Sequence, residues 1–123
     1  MNEQIIDLTH HFLESYREKD FKTLWGYIHP EEQKRIEDFV SENYSVEDLE
    51  PFLFQELDRR LVNLPSKTGV ASRIRINQYG NEFVLIVDDK YSGNVYTKPT
   101  QIPAINLPIK KDGDEYKMKV YED

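Results

Sequence analysis

None of the 123 residues is cysteine, which removes disulfides, thiolate metal ligation and a cysteine nucleophile in one step. No apolar run approaches the roughly 18 residues of a membrane-spanning helix. The opening segment, MNEQIIDLTHHF, has no basic region followed by an apolar stretch, so no secretory signal is expected and the expected setting is the cytoplasm. Internal repeats and low-complexity linkers are also missing. Positive charge is scarce: 16 Lys and Arg face 23 Asp and Glu, for a net charge of −7. The deficit is local, because residues 1–64 hold 15 acids and 7 bases whereas residues 65–123 hold 8 acids and 9 bases. Nucleic-acid affinity depends on Lys and Arg neutralising phosphates, so an acidic half argues against it. It leaves a basic protein or a cationic ligand as partners that the charge would favour.

The length suits one domain with a single core, residues 1–123, divided into a helical half (1–64) and a strand half (65–123). In residues 2–20, Ile5, Ile6, Thr9, Phe12, Leu13 and Tyr16 recur at three and four, the spacing of one helix face. Asp20 is placed to cap a short second helix in which Phe21, Leu24, Trp25 and Ile28 face inward. Pro30 fits the first turn of a third helix, with Glu31 and Glu32 against its positive dipole end. Ile36, Phe39, Val40 and Tyr44 give that helix its apolar stripe. Ser45 and Asp48 have capping-box spacing, and Leu49, Phe52, Leu53, Leu57, Leu61 and Leu64 form a fourth stripe, with Pro51 near its start.

At Pro65 the period changes from 3.6 to 2. VASRIRI sets Val70, Ser72, Ile74 and Ile76 against Arg73 and Arg75. The Gly80-Asn81 pair marks a turn, and FVLIV (83–87) is apolar on both faces, as a strand covered on each side would be. Residues 95–111 are extended but interrupted by Pro99, Pro103 and Pro108, which predicts an edge or bulged strand. KDGDE turns the chain into a last strand carrying Tyr116, Met118 and Val120 on one face. Helices first and an antiparallel meander after them predict an α+β fold, with N-terminal helices packed on a curved antiparallel sheet of about four strands.

Two segments carry a family resemblance. FLESYREKDFKTLWGYIHPEE resembles the opening of NTF2-like proteins: an amphipathic helix, a short helix capped by an acidic residue, then a Pro-Glu-Glu segment. LPIKKDGDEYKMKVYED is similar to their closing hairpin. Many members place a strand pair after the first helices, where residues 31–64 here read as helix; the resemblance is greatest to small bacterial members that fill this region with helix. It implies a cone of helices against a curved sheet, with a cavity for a small hydrophobic ligand or a surface for a protein. Trp25, Tyr27, Phe83, Leu85 and Tyr96 are the residues expected near such a cavity.

Candidate chemistry is sparse. A zinc-binding helix needs two ligands four residues apart, as in H-E-x-x-H, and this chain has no such pair. His10 and His11 point about 100° apart on a helix and so cannot share one metal; His29 precedes Pro30, where capping explains it. Neither a metal nor a cofactor is expected. Asp88 and Asp89 end the apolar strand on opposite sides, so they form no shared-proton pair. By analogy with NTF2-like isomerases and dehydratases, Asp88 could act as the base of a cofactor-independent enzyme, the catalytic alternative. Tyr79, Tyr91, Tyr96, Tyr116 and Tyr121 cluster in the strand half, and the proline-broken loop at 97–104 is the irregular segment best suited to function. The run from Glu31 to Glu50 has eight acids against Lys34 and Arg35, so Glu37, Asp38 and Glu42 are expected on a face for a basic partner. The expected function is non-catalytic binding, of a small hydrophobic ligand or a protein, with an immunity-type inhibitor of a basic toxin as the alternative binding role. No membrane or nucleic-acid partner is expected, and a homodimer is left open.

Overall fold

In the computed structural model, residues 2–64, 68–71, 82–88 and 104–121 are described. Helix α1 spans Asn2–Glu18 and buries Ile5, Leu8, Thr9, Phe12, Leu13 and Ser15 along one face. Its two buried hydroxyls are satisfied within the helix, Thr9 donating to the Ile5 carbonyl at 2.7 Å and Ser15 to that of His11 at 2.8 Å. The helix ends at Lys19, whose φ of 59° lets the amides of Lys19 and Asp20 return to the carbonyls of Tyr16 and Ser15. Glycine is the usual residue in that conformation. Lysine is retained here with its ammonium over the rings of Tyr16 (4.6 Å) and Phe54 (4.9 Å).

Asp20 does cap α2 (Phe21–Gly26), accepting from the Thr23 amide at 3.3 Å. The burial on α2 falls on Leu24, with Ile28 just beyond it, while Phe21 and Trp25 stack at 5.5 Å and stay half-buried. Helix α3 (Pro30–Asn43) is capped by His29, whose Nδ1 accepts from the Glu31 amide at 3.1 Å. A single 3₁₀ turn, Val46–Asp48, leads to α4 (Leu49–Arg60). There the Ser45 amide and hydroxyl both meet Asp48 at 3.1 Å, and Pro51 lies in the first turn of α4, where a missing N–H costs no helical bond.

The strands β1 (Thr68–Ala71), β2 (Glu82–Asp88), β3 (Ala104–Asp112) and β4 (Glu115–Met118) form one curled antiparallel sheet in chain order. This is the α+β arrangement that the sequence predicts. Gly113, at φ 64°, makes the turn between β3 and β4. Val84 and Ile86 join Leu107, Ile109 and Met118 in one core with residues of all four helices. Phe83 and Leu85 alternate to the other face and are equally buried, so residues 83–86 are covered on both sides.

β3 corrects the expectation of an edge strand: it pairs with β2 on one side and β4 on the other. Of the three prolines, Pro108 is in the described residues and lies inside β3. The Pro108 carbonyl points towards the β4 side and accepts from Lys119, just past the last residue of β4. Its missing N–H points the same way, so the proline forgoes only the reciprocal bond to Lys119 at the very end of the β3–β4 pairing and none on the β2 side.

The outer edge of β4 is covered by the link between α2 and α3. Ile28 makes a parallel bridge to Met118, with His29 N–H to the Met118 carbonyl and Met118 N–H to the Tyr27 carbonyl, both at 2.8 Å. His29 Nε2 meets the Lys111 carbonyl at 3.0 Å; a carbonyl only accepts, so the ring proton is on Nε2 and Nδ1 is free to cap the helix. Among the described residues no helix is long and apolar enough to cross a membrane.

Candidate functional site

The 3₁₀ turn folds α4 back against α3, and the two helices leave a groove of about 460 Å³ between them. Its α4 wall is Phe52, Gln55, Glu56 and Arg59, one face at helical spacing; its α3 wall is Arg35, Ile36 and Phe39. The two ends differ in chemistry. At the end where α3 stops, Phe39, Tyr44 and Phe52 pack on one another with centroids 5.3–6.3 Å apart. This pad faces solvent, Phe39 being 46% and Tyr44 57% exposed. Both residues were expected in the core stripe of α3, and the structure corrects that: Ile36 and Val40 fill the core, and the two aromatics lie beside it.

The other end is polar and already satisfied. The Tyr121 hydroxyl donates to Glu56, and Arg59 pairs with the same carboxylate at 3.1 Å. Arg35 and Arg60 lie 5.6 and 5.2 Å from the centre of the Tyr121 ring. Burial, and after it the Glu56 bond, pushes the Tyr121 hydroxyl well above its ordinary range. Beneath this network Glu32 is 1% exposed and accepts the amides of Val120 and Tyr121 at 2.7 and 2.8 Å, with Arg35 at 3.3 Å on its other oxygen.

The acidic run divides by role. Glu32 is in the core and Asp48 is used by the turn. Glu31 is held below the usual carboxylate range by the Lys110 ammonium at 2.6 Å, and Asp38 pairs with Lys34 at 2.9 Å, which raises the lysine. Glu37, Glu42, Glu47 and Glu50 are exposed and make no ion pair among the described residues. Glu42 and Asp38 line the outer flank of α3 beside Phe39 together with Lys34 and Arg35, so both signs of charge border the aromatic pad.

Four of the five residues expected around a cone cavity are described. Trp25 and Tyr27 pack half-buried against the helix-side core, whereas Phe83 and Leu85 are buried outside that cluster. Tyr96 lies outside the described residues. Tyr27 stacks on His11 at 6.2 Å and borders a separate cleft of about 320 Å³ near Asp7 and Tyr116. His10 and His11 are exposed, and among the described residues no three His, Asp or Glu side chains gather as metal ligands. Asp88 ends β2 opposite Thr68; its side chain, Asp89 and the loop at 97–103 lie outside the described residues. Sequence reasoning missed Glu56 and Tyr121 at the groove. The signal was the second face of α4, where Phe52, Gln55, Glu56 and Arg59 keep a helical spacing of their own. No protein-family model matches this chain, and neither a curated protein nor a solved structure matches it significantly.

Proposed function

We propose that this chain is a non-catalytic binding module that docks a basic protein on its α3–α4 face. The observation that carries the reading is the solvent-facing pad of Phe39, Tyr44 and Phe52, with the exposed Glu42 beside it, on a segment that holds eight acids against Lys34 and Arg35. Large aromatics that remain exposed in a cluster supply the apolar centre of an interface, and surrounding charge selects the partner and speeds its arrival. An inhibitor that covers a basic toxin, in the manner of immunity proteins, would use the same surface. The helices-then-meander order and the closing β3–β4 hairpin support kinship with NTF2-like proteins, with a cytoplasmic setting as the expected one. A small hydrophobic ligand is the second reading, favoured by a groove of about 460 Å³, within the size range of small-molecule sites.

Charge reversal at Glu37, Asp38 and Glu42 to Lys tests the choice, read against immobilised peptides graded from acidic to basic. The wild type should retain the basic peptides at low salt, and the triple variant should lose them. Screening acts over about 8–10 Å at physiological salt, so the wild-type association rate should fall as salt is added while the variant's stays flat. Retention that ignores the reversal removes the basic-partner reading. Tight uptake of a neutral apolar dye by both proteins, displaced by no peptide, would favour the small ligand.

A further inference from the structure

We infer that the α3–α4 groove takes an apolar monocarboxylate, its carboxylate at the Arg35–Arg59 end and its hydrocarbon on the Phe39–Tyr44–Phe52 pad. The inference rests on the small-ligand reading of the groove and adds the charge and polarity of what it holds.

The groove is two-ended along its α4 wall. Phe52 and Arg59 both line it, about 10 Å apart at 1.5 Å per residue. An occupant that spans this wall meets aromatic rings at one end and guanidinium groups at the other. The rings of Phe39, Tyr44 and Phe52 meet at 5.3–6.3 Å and tilt by 35–59°, which makes one apolar platform for a hydrocarbon.

Charge at the polar end fixes the sign of the head group. Arg35, Arg59 and Arg60 gather around Tyr121, against the carboxylates of Glu32 and Glu56. Both acids are engaged. Glu32 is buried under the amides of Val120 and Tyr121, and Glu56 takes the Tyr121 hydroxyl on one oxygen and Arg59 on the other. Three guanidinium groups against two carboxylates leave one positive charge at this end among the described residues. The side chains of Arg35 and Arg59 are 50% and 70% exposed, so both can meet a ligand without breaking the core. Glu56 engages Arg59 through one terminal nitrogen, whereas a guanidinium carries five N–H donors in a planar fork that matches a carboxylate. One surplus charge calls for a monoanion. A phosphate monoester would bring about −1.5 to −2 beside Glu56, and a cationic head would meet Arg35 and Arg59 as like charges.

The test is an amide chemical-shift titration of the full chain with four compounds that share one tail: decanoate, decanol, decyl phosphate and decyltrimethylammonium, each kept below its micelle-forming concentration. Decanoate should shift amides along α3 and α4 and bind roughly tenfold tighter than decanol, the size of one charge-assisted hydrogen bond. Arg59→Gln changes an exposed side chain and should fold, as a circular dichroism melt would verify. It should erase the preference for decanoate and leave decanol as it was, whereas Tyr44→Ala should weaken both. Decanol bound in the groove as tightly as decanoate, or a preference that survives Arg59→Gln, would overturn the carboxylate inference and leave the small-ligand reading standing. Tighter binding of the phosphate or the ammonium compound there would do the same. Shifts that avoid α3 and α4, or none with any of the four, would overturn both.

Discussion

Glu32 stands in the acidic run but does the work of a core residue, and its replacement should separate the two roles. Its side chain is 1% exposed, and one carboxylate oxygen takes the amides of Val120 and Tyr121 at 2.7 and 2.8 Å. Changing Glu32 to Leu would keep the volume roughly right but leave two backbone donors facing an apolar side chain. Hydrogen bonds to a charged group contribute about 1.5–3 kcal/mol each, and an unpaired buried donor costs its full desolvation. The Arg35 pair adds little, since the guanidinium is half-exposed. The loss for Glu32→Leu should therefore be roughly 3–5 kcal/mol, a large share of a stability of order 5–15 kcal/mol. Glu32→Gln keeps the shape and one accepting oxygen, and should cost only about 1–2 kcal/mol. Urea unfolding followed by Trp25 fluorescence gives both values at constant slope, and hydrogen exchange should speed up at the amides of Val120 and Tyr121 first. A Leu variant within about 0.5 kcal/mol of wild type, or a Gln variant as damaged as the Leu one, would refute the reasoning.

Leu24→Ala should destabilise by roughly 2–5 kcal/mol and Trp25→Ala by less, because Leu24 is fully enclosed and the tryptophan half-buried; urea midpoints in the reverse order would place the docking energy of α2 elsewhere. Tyr16, pushed up to about 12 chiefly by burial, gives stability that is present below about pH 10 and lost as pH rises through its folded value. Asp58, held low chiefly by the Tyr16 hydroxyl, gives stability that is present above about pH 4 and lost as pH falls below it. Tyr16→Phe should therefore flatten both limbs of a plot of thermal midpoint against pH, and unchanged limbs would dismiss the pair. Replacing His10 and His11 together with Gln should shift stability by no more than about 0.5 kcal/mol; zinc-dependent stabilisation of wild type, lost in that variant, would contradict their place on an exposed face.

The helices and their order were legible because periodicity and caps agree: Asp20, His29–Pro30 and Ser45–Asp48 each mark a boundary that the structure keeps. The groove was not legible, for a reason visible on α3. Ile36, Phe39, Val40 and Tyr44 share one broad stripe, and a stripe records only which side is apolar, not where the neighbouring helix stops covering it. Phe39 and Tyr44 lie at its margin, where α4 reaches them through Phe52 but leaves them exposed, so a pattern that marks core also marked surface. Pro108 misled in a similar way, since a proline reports a missing donor but not that the loss falls on the last pair of a ladder, where one bond from Lys119 still holds. Glu32 was hidden by its neighbours, because a carboxylate in an acidic helix turn gives no sign that its donors lie 88 and 89 positions away.

Those distant partners have a kinetic side. His29 holds Lys111, Gly26 holds Lys117, Glu31 holds Lys110 and Glu32 holds Val120, each across 79–91 positions of chain. As the chain is synthesised, the segment from Gly26 to Glu32 emerges long before anything it fastens to, and the apolar stripes of α1 and α2 wait with it. Closing so long a loop carries an entropy cost that no local contact repays, which places folding among slow, non-local topologies. Until the last hairpin arrives, Leu24 and Ile28 have no sheet to cover them. That interval is when such a chain is most exposed to aggregation, and most in need of a chaperone's company.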